Sequence, residues 1–189
     1  MAFDLSGPIS MTNLIERATT ELLIAPDWTI NMQICDECAK DAEFSKEAVR
    51  QLMKKIKDKN PQTGLYALFL LEALMKNSYH VVHIVHSKEH QAALIKIVKD
   101  KKTKYQIKDK LLDMIQSWGE GFQSSTQFPN FWMTFHSLRR EGLPFAPSPS
   151  SPYVPPSQPA VSQRFVHTTT TTTVGRSPAP APSYRAHSL

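Results

Sequence analysis

Two cysteines three positions apart are the first residues in this chain whose spacing could support chemistry. Cys35 and Cys38 form a C-x-x-C motif, which serves dithiol redox centres or one half of a structural zinc site. They are the only cysteines among the 189 residues, so no second pair completes such a zinc site. Asp36 and Glu37, which lie between them, would raise the pKa of a thiol. We therefore expect two buried, unreactive helix cysteines.

Four histidines at three- and four-residue spacing raise a metal-binding hypothesis. They are His80, His83, His86 and His90. On a helix, each step of three residues turns a side chain by about 60° out of alignment, so only adjacent pairs could share an ion. The residues between the first three are valines and isoleucine, which are typical of a core. We therefore expect neither a metal ion nor another cofactor.

The chain has no motif that indicates an enzyme. A Gly-rich phosphate loop, a G-x-S-x-G turn and an H-E-x-x-H pair are all absent from the sequence. The formal net charge is +5, but three arginines beyond residue 145 account for most of it. The remainder has 19 basic and 17 acidic residues, which does not indicate a nucleic-acid partner. We expect a non-enzymatic protein that does not bind nucleic acid.

The elements that must position these residues are helices. Apolar residues recur at helical spacing from about Ser10 to Glu141, and no segment shows sustained strand alternation. Asp27 and Ser45, or a neighbour of Ser45, are predicted N-caps. The predicted helices lie near 10–19, 27–41, 45–57, 61–77, 79–86, 88–99, 104–122 and 129–141.

The helix predicted at 61–77 is apolar on almost every face. Pro61 suits its first turn, where the missing N–H would have no partner. A helix with so little polar surface must be covered on most sides, so we predict that Leu68, Leu71 and Met75 lie at the centre of the domain. It is too short to span a bilayer, which takes about 20 apolar residues.

The helix predicted at 27–41 has two apolar stripes. One includes Ile34 and Cys38, and the other, which includes Trp28, Met32 and Cys35, lies about 100° away. Since one stripe is enough to dock this helix on a core, the second could form an exposed contact surface. The alternative is that Trp28 packs beneath the loop that follows the first helix.

Several motifs in register resemble a known family. They are Leu14-Ile15-Glu16-Arg17-Ala18-Thr19, Asp27-Trp28, Ile34-Cys35-Asp36, the stretch 57–77, Val82-His83, Ile115-Gln116-Ser117-Trp118 and Arg140-Glu141-Gly142-Leu143-Pro144-Phe145. This pattern resembles the VHS domain, in the form found in endosomal sorting adaptors of the Hrs and STAM type. The resemblance covers about residues 8–145 and implies a right-handed superhelix of eight helices. Ser78-Tyr79 depart from the Cys-Gly usual in the family, so the turn there is not carried over.

The resemblance also implies a partner. In Hrs- and STAM-type domains, the residues that match Trp28 and Met32 meet the apolar patch of ubiquitin. The implied ubiquitin-binding residues are Trp28 and Met32 together with Asp27, Asn31 and Asp36. So small an interface predicts a dissociation constant on the order of 10⁻⁴ M or weaker, with avidity supplied by clustering. The implied role is a non-enzymatic adaptor in endosomal or vesicular sorting, cytoplasmic and peripheral on endosomal membranes, that binds ubiquitin on membrane cargo.

Lysine clusters support an alternative role, a module that binds phosphoinositides or other anionic lipids. Each basic residue near such a surface contributes about 1 kcal/mol, although the same lysines also suit a solvated face at helix C-termini. The candidate lipid-binding residues are Lys54, Lys55, Lys57, Lys59, Lys99, Lys101, Lys102 and Lys104.

A further alternative is a VHS domain that reads acidic-dileucine sorting signals between helices six and eight, which the bulk of Phe131, Trp132 and Phe135 disfavours.

Composition changes sharply near residue 145. Ten of the 14 prolines follow Gly142, among serines, alanines and a Thr168–Thr173 run. Such a segment cannot bury enough apolar area to offset its ordering entropy. We predict a flexible N-terminus at 1–9, a VHS domain at 10–145 and a disordered tail at 146–189. Proline motifs at 149–152, 152–155 and 156–159 match ligands of SH3 or WW domains, which are therefore candidate partners of the tail.

Overall fold

The computed structural model describes residues 10–147, 149–150 and 152–157, all within one compact unit, Met1–Pro159. These residues form eight helices and no strand, which confirms the predicted all-α, eight-helix architecture. The helices are α1 (Met11–Thr19), α2 (Trp28–Lys40), α3 (Ala42–Lys55), α4 (Pro61–Asn77), α5 (Tyr79–His86), α6 (Lys88–Lys99), α7 (Tyr105–Gly121) and α8 (Pro129–Arg140). Within the described part of the chain, none of them has the length and apolar character needed to cross a membrane.

Helix α4 is the central helix of the domain, as its composition predicted. It packs against α1, α2, α3, α5 and α7. Leu68, Leu71 and Met75 are completely buried. Pro61 occupies the first turn, and the Asn60 side chain caps the helix by accepting from the backbone N–H of Gln62 at 2.9 Å.

Helix α3 begins three residues earlier than predicted. Its N-cap is Asp41, whose carboxylate accepts from the backbone N–H groups of Glu43 at 2.6 Å and Phe44 at 3.3 Å. Ser45, the predicted cap, is instead buried in the second turn. Its hydroxyl donates to the carbonyl of Cys38 at 2.7 Å and so joins α3 to the end of α2. Asp41 is the N-cap instead of Ser45 because its carboxylate oxygen accepts from two of the backbone N–H groups that have no partner at the helix start.

Ser78, in the turn between α4 and α5 where the chain departs from the family pattern, forms hydrogen bonds as both donor and acceptor. Ser78 is completely buried and caps α5, with its Oγ accepting from the backbone N–H of Val81 at 3.4 Å. The same hydroxyl donates to the carbonyl of Cys38 at 2.8 Å. One carbonyl at the end of α2 therefore binds two serine hydroxyls from different elements, which ties α2, α3 and the α4–α5 turn together.

The predicted domain boundary at residue 145 differs from the structure. Tyr153 is buried, and its hydroxyl donates to the carbonyl of Met75 at 2.8 Å. Gln116 on α7 donates to the carbonyl of Ala146 at 3.0 Å, and the N–H of Ser150 donates to the Asp113 carboxylate at 2.6 Å. The described part of 146–157 therefore packs on the helices.

Proline content predicted that the domain ends at residue 145. One buried aromatic side chain with a hydrogen-bond partner is enough to order part of a proline-rich stretch, and composition does not show this. In the proline motif at 152–155, Tyr153 is buried in the domain and unavailable to an SH3 or WW groove. Residue 151 of the first motif, residues 158–159 of the third, and the segments 1–9 and 158–189 lie outside the described residues.

Candidate interaction surface on helix α2

An exposed apolar pair at the start of α2 is the clearest candidate for a binding site. The side chain of Trp28 is 55% exposed and that of Met32, one turn later, is 44% exposed. The helix begins here because Asp27 caps it, with Oδ1 accepting from the backbone N–H of Ile30 at 3.1 Å. The structure therefore places Trp28 on the outside and not beneath the loop that follows α1.

Two residues predicted on the same face as Trp28 and Met32 are buried. Asn31 is 1% exposed and lies on the face that packs against the core, so it is not part of the surface. Cys35 is buried as well. At about 100° per residue, Asn31 lies about 20° and Cys35 about 60° beyond Cys38, on the side towards Trp28, so the buried arc of α2 is wider than the single stripe predicted.

The remaining predicted residues frame the pair. Asp36 is exposed on the next turn of α2, and Asp27 is half-buried at the cap. We call the exposed surface formed by Asp27, Trp28, Met32 and Asp36 the α2 patch. An aromatic side chain and a flexible methionine bordered by carboxylates suit a small protein interface, where the apolar pair supplies most of the binding free energy.

The α1–α2 loop has exposed apolar residues in addition to the predicted site residues. Leu22 is 87% exposed and Ile24 is fully exposed. Between them, the carbonyl of Leu23 accepts from the hydroxyl of Tyr66 at 2.8 Å, which fixes the loop against α4. The sequence does contain a sign of this surface, since Leu22, Leu23 and Ile24 are three consecutive apolar residues in a predicted loop and loops are ordinarily polar.

The C-x-x-C motif is buried in α2, as expected. Burial raises the pKa of Cys35 to about 12, with the charges of Cys38 and Asp36 contributing. Burial also raises the pKa of Cys38 to about 11, although a hydrogen bond from Ser45 acts in the opposite direction. Neither thiol forms a thiolate near neutral pH, so the pair does not have the reactivity of a redox centre.

The histidines of α5 have structural contacts. His86 Nε2 accepts from the backbone N–H of Asn130 at 3.2 Å, and the carbonyl of His86 accepts from the Asn130 side chain at 2.9 Å. The rings of His83 and His86 pack edge-on against Phe128. Among the described residues, no three potential ligands come close enough to bind a metal ion.

The eight candidate lipid-binding lysines fall into two groups. Lys55 pairs with Glu16 at 2.6 Å, and Lys99 pairs with Glu141 at 2.5 Å. These two charges are partly neutralised within the domain. The other six are exposed and form no ion pair within the described part of the chain, namely Lys54, Lys57, Lys59, Lys101, Lys102 and Lys104.

Helix α8 borders an open depression of about 520 Å³, lined by Trp132, Met133, His136, Ser137, Arg140 and Glu141. These six residues belong to α8 or its C-cap, and none belongs to α6, although a reader of acidic-dileucine signals is predicted to bind its peptide between α6 and α8. The Lys99–Glu141 ion pair joins those two helices there.

The sequence profile described as the VHS domain matches residues 6–142, a range that contains all eight helices. The chain belongs to the VHS domain family. Its VHS fold is similar to the crystal structure of the VHS and FYVE tandem domains of Hrs, described there as a protein involved in membrane trafficking and signal transduction. The TM-score is 0.69 at 28% identity, over 74% of this chain and 64% of that one.

Two longer proteins are also similar to this chain. It is 35% identical over 171 residues to Target of Myb protein 1 of Dictyostelium discoideum, covering 90% of this chain and 26% of that protein. It is 34% identical over 151 residues to TOM1-like protein 2 of Homo sapiens, covering 77% of this chain and 30% of that protein. The chain thus spans about a quarter to a third of these relatives.

Proposed function

We propose that this VHS domain is a non-enzymatic adaptor of membrane trafficking that binds ubiquitin on cargo through the α2 patch. The observation on which the proposal depends is the exposure of Trp28 and Met32 on a helix whose opposite face is buried. The similarity to Hrs, a protein described as involved in membrane trafficking, supports the cellular process. The proposed location is the cytoplasmic face of endosomal membranes, peripherally attached.

The chemistry of the α2 patch fits a weak and reversible partner. Trp28 offers a rigid apolar surface, and Met32 can adapt its three torsions to the apolar patch of another protein. Asp27 and Asp36 border the pair and would meet basic residues around such a patch, which favours correct orientation more than affinity. With so few contacts, useful retention of cargo requires several ubiquitin–adaptor contacts at once.

A titration of the isotope-labelled chain with ubiquitin, followed by NMR, tests this proposal. We expect shifts concentrated on the first three turns of α2, which saturate near millimolar ubiquitin. Trp28→Ala should abolish them, because a hot-spot aromatic contributes about 2 kcal/mol. The matched control is Met133→Ala, since Met133 is a similarly exposed apolar residue on α8. The proposal is refuted if ubiquitin causes no shifts on α2, or if Met133→Ala abolishes the shifts as completely as Trp28→Ala does.

A further inference from the structure

The segment that follows α8 is held on the outside of α7 by two hydrogen bonds. The side chain of Gln116 donates to the carbonyl of Ala146 at 3.0 Å, and the N–H of Ser150 donates to the carboxylate of Asp113 at 2.6 Å. They fix the chain just before residues 152–157, all of which the structure describes. We call residues 152–157 the strap.

Tyr153 anchors the strap in the domain. Its side chain is 5% exposed, and its hydroxyl donates to the carbonyl of Met75 at 2.8 Å. Its ring centroid lies 5.0 Å from that of Phe122. A Cβ atom on Gly121 would lie 2.8 Å from the carbonyl oxygen of Tyr153, so the strap backbone also fits closely against the end of α7. The rotation of the strap about its own axis is therefore fixed.

Prolines set the backbone conformation of the strap. Pro152, Pro155 and Pro156 each have φ near about −65°, and residues that precede a proline, here Val154 and Pro155, are restricted to the extended region. All six strap residues lie outside helices, strands and turns. These restrictions are those of a polyproline II helix, which has about three residues per turn. Residues three apart consequently share one edge of the strap.

The exposure of the strap side chains follows this three-residue period. Tyr153 is buried and Pro156 is half-buried, so these two form the edge that faces the domain. The residues of the other two edges are all exposed, namely Pro152, Val154, Pro155 and Ser157. A β-strand would alternate and would turn Pro155 toward the domain together with Tyr153. The strap thus presents two complete polyproline edges to solvent.

We propose that the strap, while docked on the domain, is a ligand for SH3 domains. Such domains take P-x-x-P segments in an aromatic-lined groove and exploit the preformed polyproline II conformation. A three-edged ligand can place two edges in a groove and direct the third away from it. Here Pro152 and Pro155 supply one edge and Val154 lies on the second, while the edge of Tyr153 is bound to the domain.

The chemistry of the strap favours a groove that reads prolines alone. A domain that needed the tyrosine of the motif would first have to extract Tyr153 from its buried site. The strap contains no charged residue, so aromatic–proline contacts and not ion pairs supply the binding. Binding should therefore change little when salt is added, because no charge pair within the strap contact is available for screening.

Docking on the domain should strengthen the binding of an SH3 domain. In a free peptide, the prolines fix their own torsions, but Tyr153 and Val154 remain free to leave the extended region. The domain removes part of this freedom in advance, because Tyr153 is already seated. We expect the docked strap to bind about threefold to tenfold more tightly than the same segment as a free peptide. A strap that must detach before it binds would show the opposite order.

Titration of a panel of purified SH3 domains, with a panel of WW domains alongside, tests the proposal. The ligands are the full chain, the full chain with Tyr153→Ala, and a synthetic peptide of residues 146–159. We expect SH3 domains that bind the unchanged chain to bind the other two about threefold to tenfold more weakly. Equal or tighter binding of the peptide or of Tyr153→Ala would overturn the proposal. Binding by WW domains alone, or by neither panel, would also overturn it.

Proline variants identify the edge that is read. Pro152→Ala with Pro155→Ala removes the outward prolines and should weaken binding at least about tenfold, because both anchors of the contact are lost. The matched control is Pro156→Ala, which removes the proline of the inward edge and should change the affinity by less than about twofold. If the double variant binds as the unchanged chain does, or if Pro156→Ala weakens binding equally, the proposal fails.

NMR shows whether the strap stays on the domain in the complex. Tyr153 packs on Gly121 and Phe122, so the amide signals of these two residues should shift in Tyr153→Ala. They should remain in place when an SH3 domain is added to the unchanged chain. Shifts toward the Tyr153→Ala positions would mean that the partner displaces the strap, which would overturn the proposal.

Binding of SH3 domains should be independent of the α2 patch, because the strap shares no residue with it. Trp28→Ala should abolish the ubiquitin-induced shifts and leave the affinity for SH3 domains unchanged. Failure of ubiquitin binding and failure of strap binding are therefore separate results. Weaker binding of SH3 domains by Trp28→Ala would place their contact elsewhere and overturn the assignment to the strap.

Discussion

Two tryptophans of this domain show how one residue type can serve binding at one position and stability at another. Trp28 is 55% exposed, whereas Trp118 on α7 is 2% exposed and contacts the ring of Phe131. Position in the fold, and not residue type, decides which role each indole has. Removal of a buried ring leaves a cavity, while removal of an exposed ring mainly alters the surface.

We therefore predict that Trp28→Ala changes the free energy of unfolding by less than about 1 kcal/mol, and that Trp118→Ala lowers it by about 3–5 kcal/mol. Urea denaturation followed by circular dichroism measures both values. A loss of several kcal/mol for Trp28→Ala would mean that its ring packs on the domain in solution and is not available to a partner.

His86 provides a second prediction at this scale. Burial, with a smaller contribution from the charge of His83, lowers its pKa below the ordinary value of 6.5. The neutral ring is needed because Nε2 accepts from the N–H of Asn130 at the start of α8. The unfolded chain thus binds this proton more readily than the folded domain does. Stability from His86 is complete above about pH 6.5 and is lost as the pH falls below it.

The expected result is a melting temperature that decreases between about pH 7 and pH 5, and decreases less in His86→Gln, which retains an acceptor but cannot titrate. His136→Gln is the matched control, since His136 is exposed on α8. An unchanged pH profile for His86→Gln would contradict the assignment.

At the scale of elements, the approach of α7 to α8 depends on a glycine. A Cβ atom at Gly119 would lie 2.5 Å from Cβ and 2.8 Å from Cγ of Phe135. These atoms are next to the α8 backbone and cannot swing away as the end of a flexible side chain would. The buried rings of Trp118 on α7 and Phe131 on α8 meet between the two helices, with centroids 5.9 Å apart, where this close approach occurs.

Gly119→Ala should therefore lower the free energy of unfolding by about 1–3 kcal/mol through overpacking. Helix propensity alone would change stability in the opposite direction by about 1 kcal/mol, so the sign of the effect identifies the dominant cause. Thermal denaturation measures it, with Gln106→Ala as a control for an exposed site on α7. A stabilised Gly119→Ala variant would show that the helices separate without cost.

For the molecule as a whole, the segment after the last helix is part of the domain. The ring of Tyr153 packs against Phe122, with centroids 5.0 Å apart, and its hydroxyl binds the carbonyl of Met75 near the end of α4. That carbonyl lies in the last turn of α4, where intrahelical donors run out. Gly121 leaves the space for this ring, because a Cβ there would lie 2.9 Å from Tyr153 Cδ1.

Tyr153→Phe should cost about 1 kcal/mol, the net value of one hydrogen bond. Truncation after residue 145 should lower the free energy of unfolding more than truncation after residue 159, because only the shorter chain exposes Phe122 and Gly121. Urea denaturation of the three variants gives the order. Equal stability of the two truncated chains would show that the segment does not pack in solution.

The sequence alone determined the number of helices, their ends to within three residues and the burial of α4. These features follow from local periodicity, proline positions and caps, each of which acts over a few residues. It also determined the family, since motifs such as Asp27-Trp28 keep their order and spacing along the chain. The proposed ubiquitin contact rests on that resemblance together with exposure, and its test is binding.

Only the tertiary structure decided which faces were already occupied. Asn31 is buried because the core covers a wider arc of α2 than one stripe requires. Lys55 and Lys99 are paired with acidic residues, Glu16 and Glu141, that lie distant in sequence. Tyr153 is ordered by contacts with α4 and α7. Such features depend on contacts between residues far apart in the chain, which local sequence patterns do not encode.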